Sequence, residues 1–230
     1  MSNYDIYCLS FNNPTRRTAM EYRFNQLGVN VCISEGVSVD DEKIRGRNMS
    51  DNEQRVWSIA YGHLGMMKEF YFNSDKPYGI FCEDDIYIRK DFLTQLPHCI
   101  VNFEERGLDA LLLGYLTYYD VSRYPKVSDE HPFSYSPYDD NTWGTQMYML
   151  SRNQALYLIN KYSPPYADLS RVHDDMKPFS ADWIFTKEGN RALIYPPLVI
   201  EDGKTKYKDE GQQIFHDRCH AHSYVEGLFI

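Results

Sequence analysis

YDIYCLSFNNPTRRTAMEYRFNQLGVNVCIS, residues 4–34, sets the fold class. Tyr4 to Phe11 is a short β-type run closed by Asn12, Asn13 and Pro14. From Arg16 to Leu27 the apolar positions Ala19, Met20, Phe24 and Leu27 fall at helical spacing. Val29 to Ser34 returns to a β-type pattern. Strand, helix and strand in this order make a βαβ unit, because parallel strands need a crossover of that length. The chain therefore reads as α/β.

Outward from this unit the clearest helix is Asp51 to Phe70, opened by a Ser50/Glu53 capping box. Val56, Ile59, Ala60, His63, Leu64, Met67 and Phe70 form its apolar stripe, so His63 points inward. An inward histidine is more often a hydrogen-bonded core residue than a ligand. Gly62 and Gly65 beside it would allow another backbone to come close. A short strand, Tyr78 to Cys82, is followed by a helical stretch from Asp91 to Arg106 that Pro97 should interrupt, and then by a strand at Ala110 to Leu113. Tyr118 to Asn141 has no apolar periodicity and is long for a connection. Gln146 to Leu150 reads as a strand, Asn153 to Tyr162 as a helix ended by Pro164 and Pro165, and a short helix should begin near Ala181. Arg191 to Ile200 carries two prolines, which predicts a sheet edge. The polar stretch from Lys204 reads as a flexible tail. Without a repeat or a linker, residues 1–230 count as one domain.

Composition excludes several function classes. With 24 basic and 33 acidic side chains the net charge is -9, and no Lys/Arg run is present. A nucleic-acid partner would need basic residues gathered on one face. No stretch reaches the roughly 18–20 apolar residues of a transmembrane helix, and the opening MSNYDIYCLSF lacks a basic leader. A cytoplasmic location is expected, including a host cytoplasm if the protein is viral. Five widely spaced cysteines in mostly apolar runs read as free thiols rather than a disulfide framework. The 20 tyrosines supply aromatic surface with polar tips, which suits sugar and nucleotide faces as well as cores.

Three features carry candidate chemistry. Tyr78 to Cys82 empties into Glu83, Asp84 and Asp85, at the C-terminal end of a strand where open α/β sheets bind ligands. Adjacent carboxylates repel unless a cation joins them, and hard oxygen donors select Mg2+ or Mn2+. A solvated acidic turn is the plain alternative. His216, His220 and His222 form a C-terminal cluster, with His220 and His222 on one face if that segment is extended. Asp182 falls at or just inside the start of a short helix, as an N-cap or as a general base.

Taken in order, these segments resemble glycosyltransferase family 25, the lipopolysaccharide and collagen galactosyltransferase-like group. The matching pieces are the opening strand with Arg17, Gly62-His63-Leu64, Ile80-Phe81-Cys82-Glu83-Asp84-Asp85, the run Gly144 to Arg152 with Ala155, and Asp182 followed by Tyr195-Pro196-Pro197-Leu198. They span roughly residues 4 to 200. Two departures stand out: Gly62 takes the place of the usual serine, and Trp183 and Ile184 follow Asp182 where acidic residues are common. The resemblance implies a GT-A fold, with a mostly parallel central sheet flanked by helices. It implies metal-dependent, inverting transfer of a sugar from a nucleotide-diphosphate donor, UDP-hexose by default, to a hydroxyl of a glycan or glycoprotein. It places Mn2+ or Mg2+ on Asp85, with Glu83, Asp84 and one of His216, His220 and His222, His220 favoured, as further ligands, and makes Asp182 the base. Leu9, Ser10, Arg17, His63 and Asp84 would contact the nucleotide sugar. Tyr118, Tyr119, Trp143, Gly144, Thr145 and Gln146 would contact the acceptor. A non-catalytic sugar-binding module and a two-carboxylate glycoside hydrolase are the rival readings.

Overall fold

The structure is a computed structural model that describes residues 2–118, 128 and 132–230. Seven strands form one sheet: β1 (Tyr4–Ser10), β2 (Cys32–Glu35), β3 (Tyr78–Glu83), β5 (Ala110–Thr117), β6 (Ser134–Ser136), β7 (Thr142–Ser151) and β8 (Arg191–Tyr195). Their order is β2-β1-β3-β7-β5-β8-β6. β1 pairs in parallel with β2 and β3, β5 pairs in parallel with β8, and only β7 and β6 run against the rest. The sheet is thus mostly parallel, and the opening βαβ unit sits at one side of it. A separate two-stranded ribbon joins β4 (Ile86–Ile88) to β9 (Val199–Glu201).

Alternation along the strands splits the apolar side chains between two cores. Ile6 and Cys8 of β1 face one way, onto Met20 and Phe24 of α1 (Pro14–Gln26) and Phe92, Leu96 and Phe103 of α3 (Phe92–Glu105). Tyr7 and Leu9 face the other way, onto α2 (Asp51–Asn73), α4 (Arg152–Lys161) and α6 (Ala181–Ile184). Helices on both faces are what buried parallel strands require.

Local chemistry sets the helix starts that matter for the site. The Asn13 side chain accepts from Arg16 N at 3.1 Å and Pro14 occupies the first turn, which aims α1 from the end of β1. Ser50 and Glu53 form the predicted capping box of α2. Neither glycine of α2 admits a backbone as expected: Gly62 makes room for a side chain, since a Cβ there would lie 2.7 Å from Leu9 Cδ1, and Gly65 faces open space. On the far side Gly114 does: a Cβ would meet the Val199 carbonyl oxygen at 2.7 Å, so this glycine admits β9 against β5.

Three expectations are corrected. α3 runs unbroken through Pro97. The carbonyl that loses its donor is that of Leu93, on the solvent side of the helix, where water can satisfy it. β8 is not an edge strand, because β6 pairs along its outer side, whereas β9 does lie at an edge, in the two-stranded ribbon; Pro196 and Pro197 fall between the two strands and leave both ladders intact. The C-terminal segment is not a flexible extended tail. Residues 210–223 form α7 (Glu210–Ser223), capped by Asp209, and the chain end pairs with β4 through Ile88 and Ile230. α7 buries only Cys219 fully, which explains why no apolar stripe announced it. The remaining short helix is α5 (Tyr166–Leu169). Residues 119–127 and 129–131 of the long Tyr-rich connection, Tyr119 included, lie outside the described residues.

Candidate active site

A cleft of about 970 Å3 opens at the C-terminal ends of β1 and β3, walled by the first half of α2, the start of β7, α6, the 201–209 segment and α7. β3 delivers Glu83, Asp84 and Asp85 to it together, and they take different partners. Asp84 is 8% exposed; Ser10 Oγ donates to its Oδ2 at 2.7 Å and Arg16 Nη1 to its Oδ1 at 3.3 Å. Asp85 Oδ2 lies 3.3 Å from the same Arg16 Nη1 and accepts from Thr205 Oγ1 at 3.3 Å. Arg16 Nη2 donates in turn to Thr205 Oγ1 at 2.7 Å, so one guanidinium ties both aspartates to the 203–209 loop.

Glu83 faces the third way. His63, fully buried, places Nε2 3.6 Å from Glu83 Oε1, and its Nδ1 shares a 2.9 Å hydrogen bond with the Tyr148 hydroxyl. His63 is therefore a core residue set behind the cleft wall, and it does not line the cleft.

Electrostatics separate these carboxyls. Burial pushes the Asp85 carboxyl up to about 8, with Glu83, Glu201 and Asp84 adding to the rise and Arg16 opposing it. Burial also raises Asp84 against the pull of Ser10 and Arg16. For Glu83 burial acts upward too, but His63, Thr145 and Arg55 outweigh it and hold the carboxyl below its ordinary value.

Across the cleft, Asp182 stands in the first turn of α6. Gly144 N and Thr145 Oγ1 both donate to its Oδ1 at 3.1 Å. That leaves Oδ2 without a hydrogen-bond donor among the described residues. Burial and then Glu83 raise the Asp182 carboxyl, while Thr145, His63 and Gly144 restrain the rise. Gly144 itself is buried in the sheet, where a Cβ would meet Leu112 Cδ2 at 2.5 Å. Gln146 does line the cleft; it is 7% exposed and its Oε1 has no hydrogen-bond partner among the described residues. Tyr118, Trp143 and Phe215 of α7 form an aromatic cluster on the same wall, with ring centroids 4.3 to 5.6 Å apart.

Several expected residues fall elsewhere. Arg17 points away from the cleft and pairs with Glu21 at 3.3 Å and Glu35 at 3.4 Å, because one step along a helix turns a side chain by about 100°. Arg16 takes the inward position. His220 does not line the cleft either: its Nδ1 meets the Glu201 carbonyl oxygen at 2.9 Å and its ring stacks on Tyr224. The helical turn of α7 brings His216 in instead, 2.6 Å from the buried Glu201 carboxylate and stacked on Tyr207. Arg16, Arg55, Glu201, Thr205, Tyr207 and Phe215 were not singled out from the sequence. Glu201 had a signal, since LVI empties into Glu201-Asp202 much as YGIFC empties into Glu83.

Among the described residues, no group of three or more His, Cys, Asp or Glu side chains converges closely enough to hold a metal ion. The donor chemistry of Asp84 and Asp85 nevertheless fits a magnesium-like ion. Such ions are commonly held by one or two carboxylates and complete their shell with phosphate oxygens and water. The shared guanidinium marks where a cation sits between them.

No family model matches the chain, and no curated protein matches it in sequence. Among solved structures it is similar to A197 from STIV, with 14% identity, a TM-score of 0.44, and 85% of this chain and 82% of that one covered. It is similar to a glycosyltransferase involved in the glycosylation of the major capsid of PBCV-1, with 10% identity, a TM-score of 0.43, and 96% and 100% covered. It is also similar to HddC from Yersinia pseudotuberculosis, with 12% identity, a TM-score of 0.39, and 86% and 93% covered. Beside that glycosyltransferase, the similar structures include an inositol-1-phosphate CTP transferase and a putative glucose-1-phosphate thymidylyltransferase, and none of the comparisons singles out glycosyltransferase family 25. Likenesses this distant carry no functional weight, and the architecture stands on the strand order itself. No helix among the described residues is long and apolar enough to cross a membrane.

Proposed function

We propose that this chain is a glycosyltransferase that moves a sugar from a nucleotide-diphosphate sugar, UDP-hexose by default, to a hydroxyl of a glycan or glycoprotein, with inversion. The observation that carries the reading is the division of labour in one cleft. Asp84 and Asp85 share a cation on the β3 side, while Asp182 stands across from them with one oxygen fixed by two donors and the other free.

Charge supports a metal-bound donor. The cleft lining holds six carboxyl groups, Glu83, Asp84, Asp85, Asp182, Glu201 and Asp209, against the guanidiniums of Arg16 and Arg55, so it stays acidic even with Asp85 protonated. A diphosphate is repelled by such a surface unless it arrives with a cation. Asp84 and Asp85 would hold Mn2+ or Mg2+, which when bound supplies positive charge against the leaving diphosphate. Ser10 fixes the Asp84 carboxylate for that task.

The chain's own residues account for the other half. Asp182 Oδ2 takes the proton of the acceptor hydroxyl as its oxygen attacks the anomeric carbon; the new carbon–oxygen bond forms as the bond to the diphosphate oxygen breaks. Gly144 and Thr145 keep the carboxylate oriented, and a single displacement of this kind needs no covalent intermediate. Tyr118, Trp143 and Phe215 offer ring faces to the acceptor sugar.

The test is a thermal-shift screen of UDP, GDP, CDP and their common hexose sugars, with Mn2+ and with chelator. A ligand that binds only the native state raises the melting temperature. A shift with one nucleotide family that chelator removes is expected. Sugar release that persists in chelator without any nucleotide would instead identify a glycoside hydrolase.

A further inference from the structure

Arg16 is the one strong cation in direct contact with Asp84 and Asp85 among the described residues, and it reaches them from a fixed start. Its backbone N–H is held by the Asn13 cap at the head of α1, while its side chain crosses to the carboxylates and on to Thr205. The result is a closed ring: Arg16 to Asp84, Arg16 to Asp85, Arg16 to Thr205, and Thr205 to Asp85. Asp84 and Asp85 are the residues assigned above to Mn2+ or Mg2+. A guanidinium and a divalent ion cannot occupy the space between two carboxylates at once.

We propose that Arg16 is an exchangeable counter-ion. In the free protein it neutralises the acidic pair and ties down the 203–209 loop; the metal arriving with the donor displaces it. Arg16 lines the cleft, so the released guanidinium stays beside the diphosphate and pairs with a phosphate oxygen. The inference rests on the glycosyltransferase reading and adds an order to it. Metal binds weakly alone and tightly with nucleotide, because only the nucleotide gives Arg16 a new anion.

Two opposite effects follow from one substitution. In calorimetry on the full chain without nucleotide, Arg16→Gln should bind Mn2+ at least tenfold more tightly than wild type. At saturating Mn2+, the same variant should bind UDP, or GDP or CDP if one of those is the wild-type ligand, at least tenfold more weakly. A structural role for Arg16 would weaken both. Thr205→Val provides a second variant should Arg16→Gln fold poorly: it keeps the charge, removes the hydroxyl that anchors it, and should tighten Mn2+ binding by a smaller factor.

Mn2+ affinity unchanged or weaker in both variants overturns the exchange. Nucleotide affinity unchanged in Arg16→Gln overturns the second contact. Wild-type protein that binds none of the three nucleotides with Mn2+ present overturns the donor reading itself. If Asp85→Asn and wild type bind Mn2+ equally, the metal assignment falls and the exchange falls with it.

Discussion

Asp85 and Asp182 are two carboxyls of one cleft, both raised by burial and both near Glu83, yet they are held in opposite ways. Asp182 is fixed by the chain itself, through a backbone N–H of a central strand and the hydroxyl next to it. Asp85 is held by side chains from outside the sheet, Arg16 of α1 at 3.3 Å and Thr205 of the 203–209 loop at 3.3 Å, which can let go without disturbing the sheet. A general base gains from a stationary frame because small misplacements cost rate. A cation site gains from partners that leave.

The largest effect that would break this contrast is at the base. Asp182→Asn keeps the shape and the hydrogen bonds to Oδ1 but cannot accept a proton, so transfer should fall by about 10²–10⁴-fold. Nucleotide affinity, read by calorimetry with Mn2+, should stay within twofold. Transfer at the wild-type rate would remove Asp182 from the chemistry and leave the cleft with a different base.

At the other carboxyl the same change should act on stability. Burial holds the folded Asp85 carboxyl up at about 8, against about 3.9 for the unfolded chain. Between those values the folded chain holds a proton that the unfolded chain has lost, so stability falls as pH rises from about 4 to 8. Asp85→Asn abolishes this term. In metal-free buffer the variant should melt above wild type at pH 8, and the gap should close toward pH 4. A variant that melts lower at pH 8 would mean that the Arg16 pair stabilises the fold more than the buried charge costs.

How much of this was legible depended on whether a residue's role is local. The opening βαβ unit, the α2 capping box and the acidic end of β3 are written in runs of a few residues, and each appears where the pattern placed it. Pairing across long separations is not written that way. β7 enters the sheet between β3 and β5, and no run of residues announces that Gly144 and Thr145 will meet Asp182, 38 and 37 positions away. The choice of Arg16 over Arg17 is a matter of helix phase that the Asn13 cap decides. α7 buries Cys219 alone, so its sequence carries no apolar stripe that marks a helix, and only the helical turn decides that His216, of the three C-terminal histidines, faces the cleft.

The smallest predicted effect sharpens the contrast most, because the same substitution can be made at both ends. Thr145→Val removes a hydrogen bond from the Asp182 carboxylate, and that bond favours the charged form. The Asp182 carboxyl should rise further, and the acid limb of the transfer rate should move to higher pH. Glu83, which Thr145 also holds down, would shift in the same direction. Thr205→Val removes a hydroxyl from Asp85 in the same manner, but Asp85 takes no proton from the acceptor. At Mn2+ concentrations that keep Asp85 deprotonated, the acid limb of that variant should stay at the wild-type pH. A limb that moves with Thr205 and not with Thr145 would transfer the base from the fixed carboxylate to the exchangeable one.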